Sequence, residues 1–362
     1  MPDRYDIVVI GAGPAGSLYS YLTAKAGLNV LLIDRAEFPR RKVCGDCLNP
    51  RCWDIWQAAG LKESFSNLEH HSVRGFKISR ENEDPLEVRL KRTEKDERAI
   101  ARTILDEWLR KESIAAGAAC LTGITLRSFE NRSEIITNQG TFKGSLFIGA
   151  DGRNSWLARA AGLSRKQKAC SRIAWQASLP AELSDDCVHM KFFSEGYFGL
   201  VRYSESYSNL CMLLDMNSYN TPQMIADRFF DQLPPLTWKS TFPVSRASYT
   251  AGNGNVLLVG DAARLMEPFT GEGIYMALST AFEAAQLTIK HFKSEQPIEL
   301  LGLRWKAAHR ELYKRRITFH NGLSRWLALK PSRGMLIVDI IKRYPALLPY
   351  LTQSHLPLSN PR

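Results

Sequence analysis

Residues 5–36 read YDIVVIGAGPAGSLYSYLTAKAGLNVLLIDRA, and this stretch decides the fold. Tyr5 to Ile10 is an apolar, β-branched run, the composition of a strand covered on both faces. Gly11, Gly13 and Gly16 follow in G-x-G-x-x-G spacing. A helical segment then extends to about Ala26 and stops at Gly27, a residue suited to a left-handed cap. A second apolar run, Val30 to Ile33, ends on Asp34, eighteen residues beyond Gly16. Each piece has a chemical reason. Gly11 makes the tight turn, Gly13 lets backbone approach a pyrophosphate, and Gly16 lets helix and strand pack closely, with Pro14 and Ala15 between them. The helix amino terminus offers N–H groups and a positive dipole to phosphates, and Asp34 can accept from a ribose hydroxyl. The combination predicts a dinucleotide-binding α/β domain built on a parallel sheet.

The rest of the chain sets bounds on what surrounds that domain. A length of 362 residues suffices for one large or two interleaved domains. Met1 leads directly into a strand, without the pattern of a secretory signal. No run of about 18 apolar residues predicts a membrane-spanning helix. Seven cysteines, scattered and odd in number, do not suggest a disulfide framework, so a reducing cytosol is the expected setting. The net charge of +11 is concentrated between Leu303 and Arg343, where eleven Lys or Arg face only Glu311 and Asp339. A basic tail of this kind points to an acidic surface such as a membrane, and not to nucleic acid. Trp305, Trp326, Leu327, Leu336 and Ile337 lie among those cations. The tail therefore reads either as helices packed on the nucleotide domain or as an interfacial segment.

Two later strands repeat the theme of a carboxylate at a strand's end. LFIGADGRNSWLARAAG (146–162) runs an apolar strand into Asp151-Gly152, and Asp-Gly taken alone is first a turn signal. NVLLVGDAARLMEPFTGEGIYMAL (255–278) runs another into Gly260-Asp261, then through Gly271-Glu272-Gly273 to a helix starting near Ile274. That helix would aim its amino terminus at whatever binds there. A third stretch, RKVCGDCLNP (41–50), has three readings from its residues: a redox dithiol, half of a metal site, or a loop shaped for close approach. A metal site would need Cys52 or a distant His beside Cys44 and Cys47, with no second C-x-x-C, so no metal is expected. A disulfide reductase would need a second glycine fingerprint for a nicotinamide nucleotide, and none follows a strand.

In their order along the chain, these motifs resemble the flavoproteins of the para-hydroxybenzoate hydroxylase fold, a group that includes the geranylgeranyl reductases. The resemblance covers roughly the first 290 residues: GAGPAG, an arginine segment ERAIARTILDEWL (97–109), the ADG strand and the GDAA strand with its glycine loop. It implies FAD as cofactor. Gly11, Gly13, Pro14, Ala15, Gly16, Asp34, Arg35, Arg41, Arg102, Asp151, Gly260, Asp261, Gly271, Gly273 and Ile274 are the residues it assigns to FAD. RKVCGDCLNP resembles the reductases' Pro-x-x-Cys-Gly loop, which places Cys44, Gly45 and Asp46 beside the flavin as the candidate catalytic positions. One departure stands out. The reductases' Tyr-x-Trp-x-Phe-Pro element is missing from EGYFGLVRYSESYSNLCMLLD (195–215), where Phe198, Leu200 and Tyr203 stand instead. The Trp-x-Trp-x-Ile-Pro element of flavin halogenases is reduced to Trp175 and Pro180.

The expected architecture is a Rossmann-like FAD domain from residues 1–70, 93–165 and 251–290, interleaved with an antiparallel substrate domain from 71–92 and 166–250. A basic helical segment, 291–362, completes it. Alternation in HMKFF and NLCMLLD supports the second sheet. His189, Lys191, Tyr197, Arg202 and Tyr203 on that sheet are further candidates for contact with substrate. The expected activity is an NAD(P)H-consuming, FAD-dependent oxidoreductase acting on a small lipophilic or aromatic molecule. Hydroxylation is favoured over carbon–carbon double-bond reduction, with a disulfide reductase or a flavin-binding partner without turnover behind both. The expected location is the cytoplasm, with peripheral membrane contact through the tail.

Overall fold

The computed structural model describes residues 4–90, 95, 97–164, 172–217, 220–241, 250–266, 268–294, 296–329 and 334–344. The chain opens with β1 (Tyr5–Ile10), α1 (Pro14–Lys25) and β2 (Val30–Ile33). Next come β3 (Cys47–Leu48), α2 (Cys52–Ala59), α3 (Lys62–Ser66), β4 (His71–Val73), β5 (Gly75–Arg80), β6 (Leu86–Arg89) and β7 (Glu97–Ala99). α4 (Arg102–Ala115) leads to β8 (Ala119–Leu121), β9 (Leu126–Glu130), β10 (Glu134–Thr137), β11 (Gly140–Gly149) and α5 (Trp156–Ala160). β12 (Arg172–Pro180), β13 (Cys187–Phe193), β14 (Gly196–Arg202), β15 (Tyr207–Asp215), α6 (Pro222–Phe229) and β16 (Lys239–Ser240) form the middle of the chain. β17 (Gly252–Asn253), β18 (Val256–Leu258), α7 (Gly273–Phe292), α8 (Glu299–Leu329) and α9 (Gly334–Arg343) close it.

Among the described residues the strands form three sheets. The first has the order β17-β18-β11-β1-β2-β8, parallel from β18 to β8, with β9 and β10 attached to β11. Its central parallel segments, Ile7–Ile10, Val30–Ile33, Leu146–Ile148 and Val256–Leu258, are apolar and buried because both faces are covered. Ile7 and Val9 pack with α1, α4 and α7, whereas Val8 and Ile10 pack with α5 and the β9–β10 hairpin. α1 lacks a polar face, as expected of a helix buried on all sides. Its Tyr19 hydroxyl donates to Thr288 on α7 at 2.6 Å.

The second sheet, β16-β12-β15-β14-β13-β5-β6, is antiparallel apart from the β13–β5 pair. One face carries Phe76, Met190, Phe192 and Leu213 toward the first domain; the other packs Phe193, Leu200 and Leu210 against α6. This is the α/β fold with a separate antiparallel sheet and a helical carboxyl end that the sequence predicts. β7 pairs with β3 on one side and β4 on the other in a small third sheet, so residues 71–73 do not join the large antiparallel sheet.

The basic tail divides between the domains. α8 packs on α7, β17 and β18, and Trp305 donates to the Leu258 carbonyl at 2.9 Å. α9 instead packs on β13 and β5 of the second sheet, through Ile337, Val338 and Ile341. No helix among the described residues is long and apolar enough to cross a membrane. Tail residues 345–362, with Lys330 and Arg333, lie outside the described residues.

Candidate active site

A cavity of about 690 Å³ runs between the first sheet and the second, from the start of α1 to the underside of β13–β15. The glycine turn forms one end. Gly11 has φ +103°, and a Cβ there would lie 2.4 Å from the Ala150 carbonyl oxygen; at Gly16 it would lie 1.8 Å from the Gly11 oxygen. These two glycines are required by the protein itself and do not face the cavity. Gly13 does, with Pro14 and Ala15. A Cβ at Gly13 would meet only the Arg40 Nη2 atom, at 3.3 Å, and would otherwise project into the cavity. α1 has no side-chain cap and no acid in its first turn, leaving its amino terminus open to an anion.

Asp34 stands behind this turn, not in the cavity lining. Its carboxylate accepts from the Ala12 N–H at 2.7 Å and from the Ala36 N–H at 2.8 Å, fixing the loop between β1 and α1. Asp151 has a similar local duty. One oxygen accepts from Trp156 N–H at 2.6 Å and Leu157 N–H at 3.2 Å, anchoring α5, which Ser155 also caps. Its other oxygen has no partner among the described residues, and burial raises the carboxyl pKa. Asp151 lines the cavity with Gly260 and Asp261, which sit in a single helical turn at the end of β18.

Cations gather along the same wall: Arg35, Arg41, Lys42, Arg102 and Arg153 all line the cavity. Burial lowers the Lys42 pKa, with Arg102 adding to the effect. Arg102 starts α4 and is bidentate to Asp106 one turn later, at 2.8 and 2.7 Å; Arg40 also reaches Asp106, at 3.2 Å. The sequence spacing of Arg102 and Asp106, i to i+4, is the one signal that could have revealed this pair.

At the opposite side α7 begins. Gly271, Gly273 and Ile274 line the cavity, and a Cβ at either glycine would meet open space. α7 also lacks a side-chain cap and any acid in its first turn. Two uncapped helix ends, glycines that leave their flanks open and a wall of cations fit a dinucleotide diphosphate. The apolar surface of Ile274, Ala277 and Met266 fits a flat ring system.

The Cys44–Cys47 loop forms the wall between cofactor space and the second sheet. Cys44, Gly45 and Asp46 all line the cavity, and a Cβ at Gly45 would meet nothing within 4 Å. The loop is held by residues far away in the chain. Asn209 donates to the Cys44 carbonyl at 2.8 Å, and Gln176 donates to Asp46 Oδ2 at 3.2 Å and to Asn209 Oδ1 at 2.9 Å. Asp46 has φ +58°, a left-handed conformation costing on the order of 1 kcal/mol for a residue with a side chain. Burial pushes its carboxyl pKa up to about 8, against the attraction of Arg102. Its Oδ1 has no partner among the described residues. Glu97, also in the lining, is likewise pushed to about 8 by burial. Burial raises both Cys44 and Cys47 above an ordinary thiol, so both stay protonated at neutral pH, and both are free.

Of the five sheet residues singled out above, only Tyr197 lines the cavity. His189 bonds Asp185 at 2.8 Å, and Lys191 donates to the Glu81 carbonyl at 3.4 Å. Arg202 donates to the carbonyls of Ser204 and Glu205, and Tyr203 lies 3.4 Å from Ser178. Alternation along β14 sends Tyr197 and Val201 inward; Phe198 and Leu200 go to the opposite face, against α6. Phe198 and Leu200, which stand in place of the reductases' element, therefore do not touch the cavity. Glu97, Gln176 and Asn209 were not legible as site residues, because nothing in their neighbourhoods marks them.

A cavity built on a Rossmann-type glycine turn, roofed by an antiparallel sheet, defines a class of flavin-dinucleotide enzymes. The chain belongs to the FAD binding domain family, whose model matches residues 4–225 and 218–303, and is an FAD-dependent oxidoreductase of the para-hydroxybenzoate hydroxylase fold. It is similar to a menaquinone reductase of Mycobacterium tuberculosis, 31% identical over 317 residues, covering 79% of this chain and 76% of that one. It is also similar to a digeranylgeranylglycerophospholipid reductase of Methanocaldococcus jannaschii, 27% identical over 339 residues, 85% of this chain and 84% of the other. Among solved structures, the flavin-dependent brominase Bmp2 superposes with a TM-score of 0.77 at 17% identity, over 98% of this chain and 94% of that one. Pseudomonas aeruginosa PqsL in complex with 2-aminobenzoylacetate gives 0.76 at 14% identity, over 94% and 100%. At such identities the likeness establishes the fold alone.

Proposed function

We propose that the protein reduces a carbon–carbon double bond in an apolar, isoprenoid-like substrate, reversing the order favoured by the sequence. The observation that carries this reading is the contrast between the cavity's two walls. Toward α1 and α4 the wall is glycine and cation. Toward the second sheet it is Phe76, Val188, Met190, Tyr197, Leu213 and Phe269. Such a wall accepts a hydrocarbon chain without stripping water from polar groups. Between the two walls sits Asp46, neutral at pH 7.

Reduction adds a hydride and a proton across the double bond, the two electrons coming from NAD(P)H as the resemblance implies. FAD, when bound, supplies the hydride chemistry. The remaining tasks fall to the chain. The apolar wall orients the substrate and excludes water. Asp46 holds the proton on Oδ1, because Oδ2 already accepts from Gln176. Arg102 nearby favours the carboxylate left after the proton departs. The names of the two sequence relatives above, both reductases, support the same reaction class.

The test is anaerobic. FAD-loaded protein with NADH or NADPH and a polyprenyl quinone or geranylgeranyl lipid should yield product carrying two additional hydrogens. Product that forms only in air and carries labelled oxygen would overturn the proposal in favour of hydroxylation.

An apolar substrate gives the expected membrane contact a role. α9 turns Ile337, Val338 and Ile341 onto the apolar cluster that includes Phe76, Val188 and Met190, and exposes Leu336 and Ile340 on its other side, with Lys342 and Arg343 following. We assign that outer face to an anionic lipid surface. Vesicles containing anionic phospholipid should sediment with the protein and release it when Leu336 and Ile340 are both replaced by Asp. Equal sedimentation of the variant would remove the assignment.

A further inference from the structure

Glu272 lies between the two glycines that open α7 onto the cavity, yet its own side chain points away and is fully buried. Two residues of α8 meet it there. Arg316 Nε donates to both carboxylate oxygens, at 3.0 and 2.9 Å, and its Nη2 pairs with Oε2. His320 Nε2 lies 2.8 Å from Oε2. Arg316 is 8% exposed and His320 1%. Both stand beyond residue 303, outside the part of the chain that the family model matches.

We infer that Arg316 and His320 are positioning residues for the cofactor: Arg316 neutralises Glu272 and, with His320, holds its turn, so that the amino terminus of α7 presents undiminished positive potential to FAD. The inference rests on FAD occupying the end of the cavity lined by Gly271, Gly273 and Ile274. A buried carboxylate one residue from that lining would, by itself, oppose the field of the helix N–H groups at short range and low dielectric. An electron-rich, reduced cofactor needs that field more than an oxidised one does. The bidentate guanidinium supplies the balancing charge in a fixed orientation, and the histidine holds the carboxylate's remaining reach. A helix from the carboxyl-terminal third of the chain thus sets the electrostatics of a site built by the amino-terminal motifs.

The readout is the midpoint potential of protein-bound FAD, measured by anaerobic spectroelectrochemical titration. It needs no substrate, so it stands or falls apart from the reaction proposed above. Arg316→Gln should shift the potential to more negative values, because the buried carboxylate then disfavours the reduced cofactor. Glu272→Gln should shift it the opposite way, and the double variant Arg316→Gln/Glu272→Gln should return close to the wild type. A trio that merely fastens α8 to α7 predicts lower melting temperatures for all three with potentials equal to wild type, and that outcome would overturn the inference. Should Arg316→Gln fail to retain FAD, Glu272→Gln, nearly isosteric, carries the test. An unshifted potential in that variant overturns the inference as well.

Discussion

Asn209 on β15 donates its side-chain N–H to the carbonyl oxygen of Cys44 at 2.8 Å, across 165 residues of sequence. One hydrogen bond thereby ties the loop that faces the cofactor to the sheet that faces the substrate. Gln176, bonded to both Asn209 and Asp46, makes this a four-residue clamp. Replacing Asn209 by Ala leaves the Cys44 carbonyl without its partner, a loss of about 1–3 kcal/mol. The expected outcome is a lower melting temperature and a fall in kcat, with FAD affinity close to wild type, because the diphosphate end of the cavity is untouched. Equal loss of flavin and turnover would show that the clamp does not act through the loop alone.

Asp46 predicts a pH profile. Its carboxyl is raised from 3.8 to about 8 by burial, so the neutral, proton-donating form dominates at pH 7. Turnover should decline as pH rises through about 8. Asp46→Asn should lower turnover by roughly 10²-fold and flatten that limb. Stability follows the opposite logic to an ion-paired acid. The folded protein holds a proton that the unfolded chain releases above pH 3.8, so this group costs stability progressively as pH climbs from there to about 8. The Asn variant should melt no earlier than wild type at pH 8. A variant that retains full turnover would remove Asp46 from the reaction.

Gly13 separates cofactor binding from folding. Its φ of −78° is open to any residue, and the space beside it is the cavity. Gly13→Val should therefore fold with near-normal melting but carry little flavin absorbance, since the Val side chain fills the place where a diphosphate meets backbone. Full flavin content in that variant would contradict the placement of FAD at α1.

Cys44 and Cys47 tell a dithiol relay from a shaped loop. Burial keeps both thiols protonated, which disfavours thiolate attack. Cys47→Ser should retain most substrate-dependent turnover, measured as NAD(P)H oxidation. Collapse of turnover, together with a long-wavelength charge-transfer band in the reduced wild type that the variant lacks, would restore the disulfide-reductase reading.

The sequence by itself determined the nucleotide-binding half of this protein. The glycine turn, the apolar strands and the acid after β2 are local rules: 3.6- and 2-residue periods, left-handed glycines and helix ends open to phosphate act within about thirty residues. Their reading needs no knowledge of the rest of the chain. Even there, the folded geometry assigned Asp34 to the loop behind the cavity and Asp151 to the start of α5, because each found backbone N–H groups within reach. The substrate side was decided only by tertiary structure. Which residues of β14 face inward depends on the register of β13 and β15 against it, and that register placed Tyr197 in the cavity and Phe198 behind it. Gln176, Asn209, Arg316 and His320 carry no local signature either. They became part of the site because long-range packing carried them to Asp46, Cys44 and Glu272, and buried polar groups must find partners wherever the fold brings them.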